Sequence, residues 1–222
     1  MRILITAGPT REYIDDVRYI SNGSSGKMGY AVAEAAVKHN HKVVLVSGPV
    51  SLPTPKSVHR IDITTSSDML RECLRVYPEC DGVIAVAAVC DYRPEKIASG
   101  KLKKDGYTRN LPLTETEDIL ANLGQRKRHQ WILGFALEAE NAAQEAIRKR
   151  HAKGCDAIVL NHTSAISADV TSIQIIDHTD RVVHTCKGLK PDVADNLLTW
   201  IESALVVSSK TPDGTSVRQP DE

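Results

Sequence analysis

Short apolar runs alternate along this chain with longer segments in which apolar residues recur at helical spacing. The short runs predict strands at Arg2–Ala7, Lys42–Ser47, Val58–Ile63, Gly82–Ala88, Trp131–Ala136 and Asp156–Asn161. The longer segments predict helices at Lys27–His39, Ser67–Val76, Glu117–Gln125, Glu140–His151 and Pro191–Leu205. This alternation is typical of an α/β protein with a doubly wound, mostly parallel, Rossmann-like sheet.

The remaining segments extend this pattern. Two later runs, Thr171–Ile176 and Arg181–Thr185, predict a C-terminal antiparallel hairpin near the edge of the sheet. Residues 92–116 are highly charged and show no periodicity, which is typical of a functional flap or a surface excursion. Asp68 follows two serines and is expected to cap the second helix. We expect one domain over residues 1–206, followed by a disordered tail over 207–222.

Composition and charge narrow the class of protein. A chain of 222 residues, 41% hydrophobic and 25% charged, suits one α/β domain. A formal net charge of 0 argues against a nucleic-acid partner. No apolar run approaches the roughly 20 residues of a membrane helix, and Met1 leads directly into strand residues. We therefore expect a cytoplasmic protein without a membrane partner.

Cysteine and histidine are scattered. The five cysteines form no CxxC pair, which argues against zinc or dithiol chemistry, and we expect most of them to be buried. The eight histidines do not cluster and suggest no catalytic triad. A metal site built only from protein side chains is therefore disfavoured.

The segment from Gly8 to Gly29, GPTREYIDDVRYISNGSSGKMG, is the richest in candidate chemistry. A strand that feeds a Gly/Ser-rich loop and then a helix presents free backbone N–H groups to an anion. Candidate phosphate-binding residues are Gly8, Ser24, Ser25, Gly26 and Lys27. Neither GxxxxGK[ST] nor GxGxxG is present, so a purely structural turn remains an alternative.

A second candidate stretch lies at the end of the fourth predicted strand and just after it. Because ligands of open α/β sheets lie at the carboxyl ends of strands, we expect this stretch beside the same site. The small side chains of Ala87 and Ala88 would let a flat base approach the backbone, and Asp91 could accept ribose hydroxyls or support Mg²⁺. A turn or cap is the alternative role for Asp91.

Basic residues supply the charge that a nucleoside triphosphate needs. Lys149 and Lys153 share one helical face, and the flap contributes Lys101, Lys103 and Lys104. A solvated helix face is the alternative for the lysine pair. Phe135, the only phenylalanine, lies near the end of the fifth predicted strand and could equally be a core residue.

Asn22 precedes a glycine and is therefore suited to a turn. The functional alternative is an amide beside a reacting carbonyl, where it would steady a tetrahedral or acyl-anhydride oxygen.

At these positions the chain resembles the phosphopantothenate–cysteine ligases (phosphopantothenoylcysteine synthetases) of coenzyme A biosynthesis, from Ile3 to about Leu205. The resemblance rests on ITAGPTRE at 5–12, VRYISNGSSGKMG at 17–29, VSGPVSLPTP at 46–55, AAVCDYRP at 87–94, KLKK at 101–104, EDIL at 117–120, GFALE at 134–138 and the Lys149/Lys153 pair. The chain departs from the family pattern at Cys90, where alanine is usual, and at TETE before EDIL, where many bacterial members have Asn-Pro. Many bacterial members also carry an N-terminal flavin-dependent decarboxylase domain, and no part of these 222 residues corresponds to it, so a stand-alone ligase and an excised domain are both open alternatives.

The resemblance implies a two-step reaction. The carboxylate of 4'-phosphopantothenate attacks the α-phosphate of a nucleotide, which gives an acyl-nucleotide and pyrophosphate. The amine of L-cysteine then attacks the acyl carbon and releases the nucleoside monophosphate. CTP is the expected co-substrate, and ATP is the less expected alternative. Mg²⁺ is expected to accompany the triphosphate, and no flavin is expected to be needed. Family members are homodimers with active sites close to the subunit interface.

The resemblance also implies roles for individual residues. Asn22 matches the asparagine that acts on the acyl-nucleotide. Arg18 matches an arginine near the substrate that could serve the neighbouring subunit. Lys101 matches the flap lysine that closes over the intermediate. The implied nucleotide-binding positions are Ala85, Val86, Ala87, Asp91, Lys101, Glu117, Asp118, Ile119, Leu120, Phe135, Lys149 and Lys153, and Ala88 joins the loop residues as a substrate contact.

Two other classes share the expected fold. A nicotinamide or flavin oxidoreductase would show GxGxxG after the first strand and an acidic residue at the end of the second, and this chain has neither. A nucleotide sensor without activity would be expected to have lost its reactive residues, whereas Asn22, Asp91 and Lys101 are all present.

Overall fold

An eight-stranded sheet forms the centre of the computed structural model, which describes residues 1–138, 141–162 and 169–206. The strands are β1 (Arg2–Ala7), β2 (Arg11–Tyr13), β3 (Tyr19–Ser21), β4 (Lys42–Ser47), β5 (Val58–Asp62), β6 (Gly82–Ala85), β7 (Tyr92–Pro94), β8 (Leu113–Glu115), β9 (Trp131–Glu138), β10 (Ala157–His162), β11 (Val170–Ile176) and β12 (Val182–Leu189). The helices are α1 (Lys27–Lys38), α2 (Ser66–Val76), α3 (Ile119–Gln125), α4 (Ala142–Ala152) and α5 (Lys190–Ile201).

The order of strands across the main sheet is β12-β11-β10-β9-β6-β1-β4-β5. The strands from β5 to β10 in this row are parallel, and β11 and β12 pair antiparallel at one end. The chain builds outwards from β1 in both directions, with β4 on one side and β6 on the other. The resulting crevice between β1 and β6 is the place where doubly wound folds bind ligands.

Alternate residues of each strand pack on opposite faces of the sheet. Ile3 and Ile5 lie in one core with α1 and α5, which pack against each other. Leu4 lies in the other core with α2 and α3, and α4 covers the β9 and β10 end of that same face. The two helical layers therefore bury both faces, as the composition of Ile, Val, Leu and Ala predicts.

The predicted fold class is confirmed. The structure corrects the predicted ends of several strands and helices. The strand predicted to reach Ala88 ends at Ala85, because the Ala87 N–H turns to the side-chain hydroxyl of Thr6 instead of continuing the ladder. The helix expected from Glu117 begins at Ile119, because Asp118 is its N-cap and accepts a hydrogen bond from Ala121 N–H.

The cap of α2 is also corrected. Thr65 is the N-cap, and its hydroxyl accepts a hydrogen bond from the Asp68 N–H at 3.1 Å. The Asp68 carboxylate in turn accepts a hydrogen bond from the Thr65 N–H at 3.1 Å. Asp68 is therefore the reciprocal partner in a capping box and not the cap itself.

The C-terminal half differs at several boundaries. β9 runs on to Glu138, the hairpin strand β12 runs on to Leu189, and α5 ends at Ile201 before one π-helical turn over Glu202–Val206. Glu140, where a helix was expected to begin, and the predicted tail over 207–222 lie outside the described residues.

Two small hairpins were not predicted. β2 pairs with β3 inside the Gly8–Gly29 segment, and β7 pairs with β8 inside the expected flap, which is therefore not structureless throughout. Strands this short show too little alternation to be recognised in a sequence.

Burial of the cysteines agrees with expectation. Cys73, Cys80, Cys90 and Cys155 are buried, and Cys186 is partly buried. Over the part of the chain that the structure describes, no helix has both the length and the apolar character to span a bilayer.

Candidate functional site

A cavity of about 670 Å³ opens at the carboxyl ends of β1, β6, β9 and β10. This volume lies within the range usual for small-molecule sites, roughly 300–1,000 Å³. Most of the expected site residues line it: Asn22, Ser24, Ser25, Gly26, Lys27, Ala85, Val86, Ala87, Ala88, Asp91, Glu117, Asp118, Ile119, Leu120, Phe135, Lys149 and Lys153.

The Gly/Ser-rich loop brings the start of α1 to the cavity wall. Gly26, the N-cap, has a left-handed backbone with φ of 77°, and no side-chain oxygen caps this helix. The hydroxyls of Ser24 and Ser25 lie 3.3 and 3.5 Å from the N–H groups of Gly26 and Lys27. The hydrogens of the two serine hydroxyls and the positive end of the helix dipole can stabilise an anion in the cavity.

Gly29 lets α1 approach β1 closely. A Cβ at this position would lie 2.5 Å from the Cβ of Ala7, a distance that side chains do not tolerate. The glycine therefore sets how near the start of the helix lies to the end of the strand, as the last glycine does in dinucleotide-binding turns.

The wall after β6 is held by hydrogen bonds from both sides. Ala88 N–H donates to the Gly8 carbonyl at 2.9 Å, and Cys90 N–H donates to the Thr10 hydroxyl at 2.9 Å. The Thr116 hydroxyl donates to the Cys90 carbonyl at 2.6 Å. Small side chains and a hydrogen-bonded backbone therefore line the cavity. Cys90 is buried, and cysteine is little larger than the alanine usual at this position.

Asn22 lines the cavity, and its side chain connects the Gly/Ser-rich loop to the wall that follows β6. Its amide nitrogen donates to the carbonyls of Ala88 at 3.0 Å and Val89 at 2.9 Å. The opposite amide orientation would set oxygen against two carbonyl oxygens, so these acceptors fix the assignment. Both amide hydrogens are used within the protein, and the Asn22 oxygen is the group that can accept a hydrogen bond from a ligand. The role expected from the sequence, an amide that steadies a tetrahedral or acyl-anhydride oxygen, stays a prediction.

The opposite wall carries charges of both signs. Asp118 caps α3 with one oxygen, and its other oxygen pairs with the Lys153 ammonium at 3.1 Å. Lys149 and the half-buried Phe135 line the same cavity. The solvated-face alternative for the lysine pair is thus not what the structure shows, since both lysines border the cavity.

Three expected site residues lie outside the cavity lining. Gly8 is buried beneath it with φ of 72° and accepts the Ala88 hydrogen bond. Arg18 pairs with the buried Asp15 and donates to the Leu102 carbonyl at 2.6 Å. Lys101 is exposed on the loop next to Leu102. Their placement makes Gly8 and Arg18 supports for the site, while Lys101 would have to move to contact a ligand.

Two lining residues were missed by sequence reasoning. Asn161 lies near the end of β10, where the strand-end rule could have found it. Lys190 begins α5 directly after β12, which runs parallel to β10 because two antiparallel pairings separate them. Lys190 could be found only once the hairpin is known to return the chain to this edge.

The carboxylates that line the cavity are the groups that could contact a metal ion brought by a ligand. Among the described residues, no three His, Cys, Asp or Glu side chains lie close enough together to hold a metal ion. Asp91 and Glu117 border the cavity and could contact an ion bound to phosphate groups.

Comparison with known proteins shows the family of this chain. The model of the DNA/pantothenate metabolism flavoprotein C-terminal domain matches residues 1–205. The coenzyme A biosynthesis bifunctional protein CoaBC of Bacillus subtilis is 46% identical over 167 residues, which are 75% of this chain and 41% of that protein. A cysteine/cysteine sulfinic acid decarboxylase from an unknown prokaryotic organism is 37% identical over 203 residues, 89% of this chain and 56% of that protein.

A solved structure shows the same arrangement. The crystal structure of the C-terminal domain of CoaBC is 39% identical, covers 93% of this chain and 98% of that one, and has a TM-score of 0.78. The chain spans less than half the length of the CoaBC relative from Bacillus subtilis. These matches confirm the resemblance drawn from the motifs. The chain belongs to the family of the DNA/pantothenate metabolism flavoprotein C-terminal domain.

Proposed function

We propose that this chain is a phosphopantothenate–cysteine ligase of coenzyme A biosynthesis. It joins 4'-phosphopantothenate to L-cysteine through an acyl-nucleotide and yields 4'-phosphopantothenoylcysteine, nucleoside monophosphate and pyrophosphate. The observation that carries the proposal is the cavity itself, because it gathers an anion-binding helix start, Asn22 and the Lys149/Lys153 wall at one sheet edge. The 46% identity to a coenzyme A biosynthesis protein supports the pathway.

The site must first reduce the electrostatic repulsion between its two negatively charged substrates. A carboxylate and a triphosphate repel each other, so cationic side chains must reduce that repulsion before the carboxylate oxygen can attack the α-phosphorus. Lys149 and Lys153 lie where they could do so. Mg²⁺ bound to the triphosphate would neutralise further charge, and Asp91 is a lining carboxylate that could contact it. Fixing both reactants in line can contribute about 7–11 kcal/mol to the reduction of the barrier.

Asn22 serves the second step in this proposal. The amine of cysteine attacks the acyl carbon, the bond to the nucleotide phosphate breaks, and the amine loses a proton. The Asn22 oxygen, oriented by the two bonds of its amide nitrogen to Ala88 and Val89, can accept a hydrogen bond from that amine. A flap that brings Lys101 over the cavity would exclude water, which otherwise hydrolyses the mixed anhydride.

The nucleotide is proposed to be CTP, with ATP as the alternative, because bacterial members of the ligase family use CTP and the CoaBC relative of Bacillus subtilis is bacterial. The nucleotide-contacting positions are the lining residues Ala85 to Ala87, Asp91, Glu117 to Leu120, Phe135, Lys149 and Lys153. No flavin is required, and the protein works as a cytoplasmic homodimer in which Arg18 could serve the neighbouring subunit.

The test is pyrophosphate release with 4'-phosphopantothenate and Mg²⁺, compared between CTP and ATP and with and without L-cysteine. Release that requires phosphopantothenate, with multiple turnovers only when cysteine is present, supports the ligase. No release with either nucleotide contradicts it. The decarboxylase relative suggests a second assay, CO₂ release from cysteine without nucleotide, and a positive result there would favour that chemistry instead.

A further inference from the structure

Thr10 is a buried polar residue behind the wall that follows β6, and the proposed reaction has not yet used it. It lies between the end of β1 and the start of β2 and is 0% exposed. Because it lies outside the cavity lining, it can act on a ligand only through other residues. Burying a polar side chain is costly unless hydrogen bonds compensate it, so the groups that Thr10 contacts indicate its role.

Thr10 and Asn22 hold the same peptide unit from opposite sides. The Thr10 hydroxyl accepts the Cys90 N–H at 2.9 Å. The carbonyl of that unit, which is the carbonyl of Val89, accepts the Asn22 amide at 2.9 Å. The N–H and the carbonyl of a planar trans unit point in opposite directions. The Thr10 hydroxyl therefore fixes the direction of a carbonyl that orients Asn22.

The second acceptor of Asn22 is also bonded to Thr10. The Ala88 carbonyl accepts the Thr10 backbone N–H at 3.2 Å and the Asn22 amide at 3.0 Å. Thr10 thus contacts both peptide units whose carbonyls receive the amide hydrogens of Asn22. Hydrogen bonds that share a peptide group polarise one another, so the loss of one is expected to weaken the next.

Thr10 also anchors the strand that leads to Asn22. Its carbonyl accepts the Ser21 hydroxyl at 2.7 Å, and Ser21 is the residue immediately before Asn22. The next residue, Arg11, pairs with Ser21 in the β2–β3 hairpin. The Arg11 N–H donates to the Thr64 carbonyl at 2.8 Å, which fixes this part of the backbone. One buried residue therefore holds both the acceptors of Asn22 and the backbone from which Asn22 extends.

The nucleotide-contacting residues of the same wall have separate supports. The Ala87 N–H donates to the Thr6 hydroxyl at 3.2 Å, and the Asp91 carbonyl accepts the Thr116 N–H at 2.9 Å. Loss of the Thr10 hydroxyl should therefore disturb Asn22 more than the residues that contact the nucleotide.

We propose that Thr10 is a positioning residue that orients the Asn22 side chain for the attack of the cysteine amine on the acyl-nucleotide. The inference rests on the proposed ligase function, in which Asn22 serves the second step. Thr10 touches neither the substrates nor the reacting atoms, and its effect passes through the Ala88 and Val89 carbonyls.

The kinetic test compares Thr10→Val, which has a similar shape but cannot accept the Cys90 hydrogen bond, with Thr10→Ser, which keeps the hydroxyl. Rapid quenching measures the pyrophosphate burst for the first step and the decay of the acyl-nucleotide on addition of L-cysteine for the second. Thr10→Val should slow the second step about 10-fold, as the loss of one hydrogen bond implies. The burst and the CTP dissociation constant should be unchanged, and Thr10→Ser should restore most of the rate.

The matched control is Ser47→Ala, which removes a buried hydroxyl bonded to Tyr30 and Gly48 at the end of β4. This control should leave both steps unchanged. A double variant of Thr10→Val and Asn22→Asp should be little slower than Asn22→Asp alone, because both changes act on the same side chain.

A second measurement needs no substrate. The side-chain amide of Asn22 is observed by ¹⁵N NMR and assigned by its absence from Asn22→Asp. Its hydrogens should exchange with solvent about 10-fold faster in Thr10→Val than in the unaltered protein, Thr10→Ser or Ser47→Ala. If Thr10→Val does not fold, as judged by thermal melting, Ser21→Ala takes its place, since it removes the bond from the strand before Asn22 to Thr10.

Three results would overturn the assignment while leaving the ligase intact. They are unchanged exchange of the Asn22 amide in Thr10→Val, equal slowing of both chemical steps, and fully additive losses in the double variant. An unaltered protein that releases no pyrophosphate with either CTP or ATP would instead overturn the ligase function and the catalytic part of this proposal. The NMR comparison would then still decide whether Thr10 orients Asn22.

Discussion

Arg18 pairs with the buried carboxylate of Asp15, and together they hold both backbone groups of Leu102. The Asp15 carboxylate accepts the Leu102 N–H at 3.0 Å, and the Arg18 guanidinium donates to the Leu102 carbonyl at 2.6 Å. Arg18 also holds the pKa of Asp15 well below its usual range. The residue before Leu102 is Lys101, so this pair fixes the backbone from which the flap lysine extends.

Asp15→Asn should therefore impair the reaction through Lys101. We expect turnover to fall about 10- to 100-fold, the range for a lost hydrogen bond to a charged group, with CTP affinity unchanged. Lys101→Gln should slow formation of the acyl-nucleotide, and the double variant should be little slower than Lys101→Gln alone.

Rapid-quench measurement of the pyrophosphate burst checks this prediction. Arg109→Gln is the control, since Arg109 lies in the same segment and pairs only with the nearby Asp105 among the contacts described. Fully additive losses in the double variant would show that Asp15 acts independently of Lys101, and normal activity of Lys101→Gln would remove the flap from the mechanism.

Asn22→Asp should separate the two chemical steps. Aspartate cannot donate to the Ala88 and Val89 carbonyls and would set a negative charge against them. We expect the acyl-nucleotide to accumulate and overall turnover to fall by roughly 10- to 100-fold, while CTP binding changes little. Chromatography of quenched reactions detects the intermediate.

The control for this variant is Asn196→Asp, which removes a comparable amide-to-carbonyl bond to Asp192 on the exposed side of α5. A steady-state rate in Asn22→Asp equal to that of the unaltered protein would exclude the role proposed for this amide.

Gly29→Ala should destabilise the fold, because the added methyl group would meet the Ala7 side chain at 2.5 Å. Overpacking of this kind costs about 1–3 kcal/mol in the free energy of unfolding. Urea denaturation measures the change. Gly23→Ala is the matched control, since a Cβ there meets nothing within 4 Å, and equal stability losses in the two variants would contradict the close-packing argument.

The lowered pKa of Lys190 predicts a dependence of binding on pH. Burial and Lys27 lower this pKa from the ordinary 10.5, while Asp169 raises it, so Lys190 loses its charge at a lower pH than a solvated lysine. A phosphate monoester, with a second pKa of about 6, stays doubly charged over the same range. Binding of an anionic ligand that contacts Lys190 should therefore weaken at a lower pH than it would at a solvated lysine.

Lys190→Arg supplies the control for this pH profile, because a guanidinium stays charged throughout. Its affinity for 4'-phosphopantothenate and for CTP should be flat over the same range, as measured by calorimetry. A weakening in Lys190→Arg equal to that of the unaltered protein would assign the titration to another group.

Much of the site could be foreseen because it follows from strand ends. The Gly/Ser-rich loop after β1 and the alanines after β6 lie at one edge whenever these strands are parallel. The orientation of Asn22 could not be foreseen, since it depends on carbonyls that face the cavity only after Thr6 interrupts the β1–β6 ladder at Ala87. The place of Lys190 at the cavity could not be predicted from the sequence either, because it depends on the pairing of β11 with β12.

One end of the cavity depends on the first and the last helix of the chain, because α1 and α5 pack against each other. Lys27 lies on the first helix and Lys190 on the last, so neither lysine reaches its place until the sheet between them is complete. A ligand that binds both lysines would therefore oppose global unfolding and not only the opening of a loop. For the same reason, fragments that lack either terminal helix should retain no residual affinity at this end of the cavity.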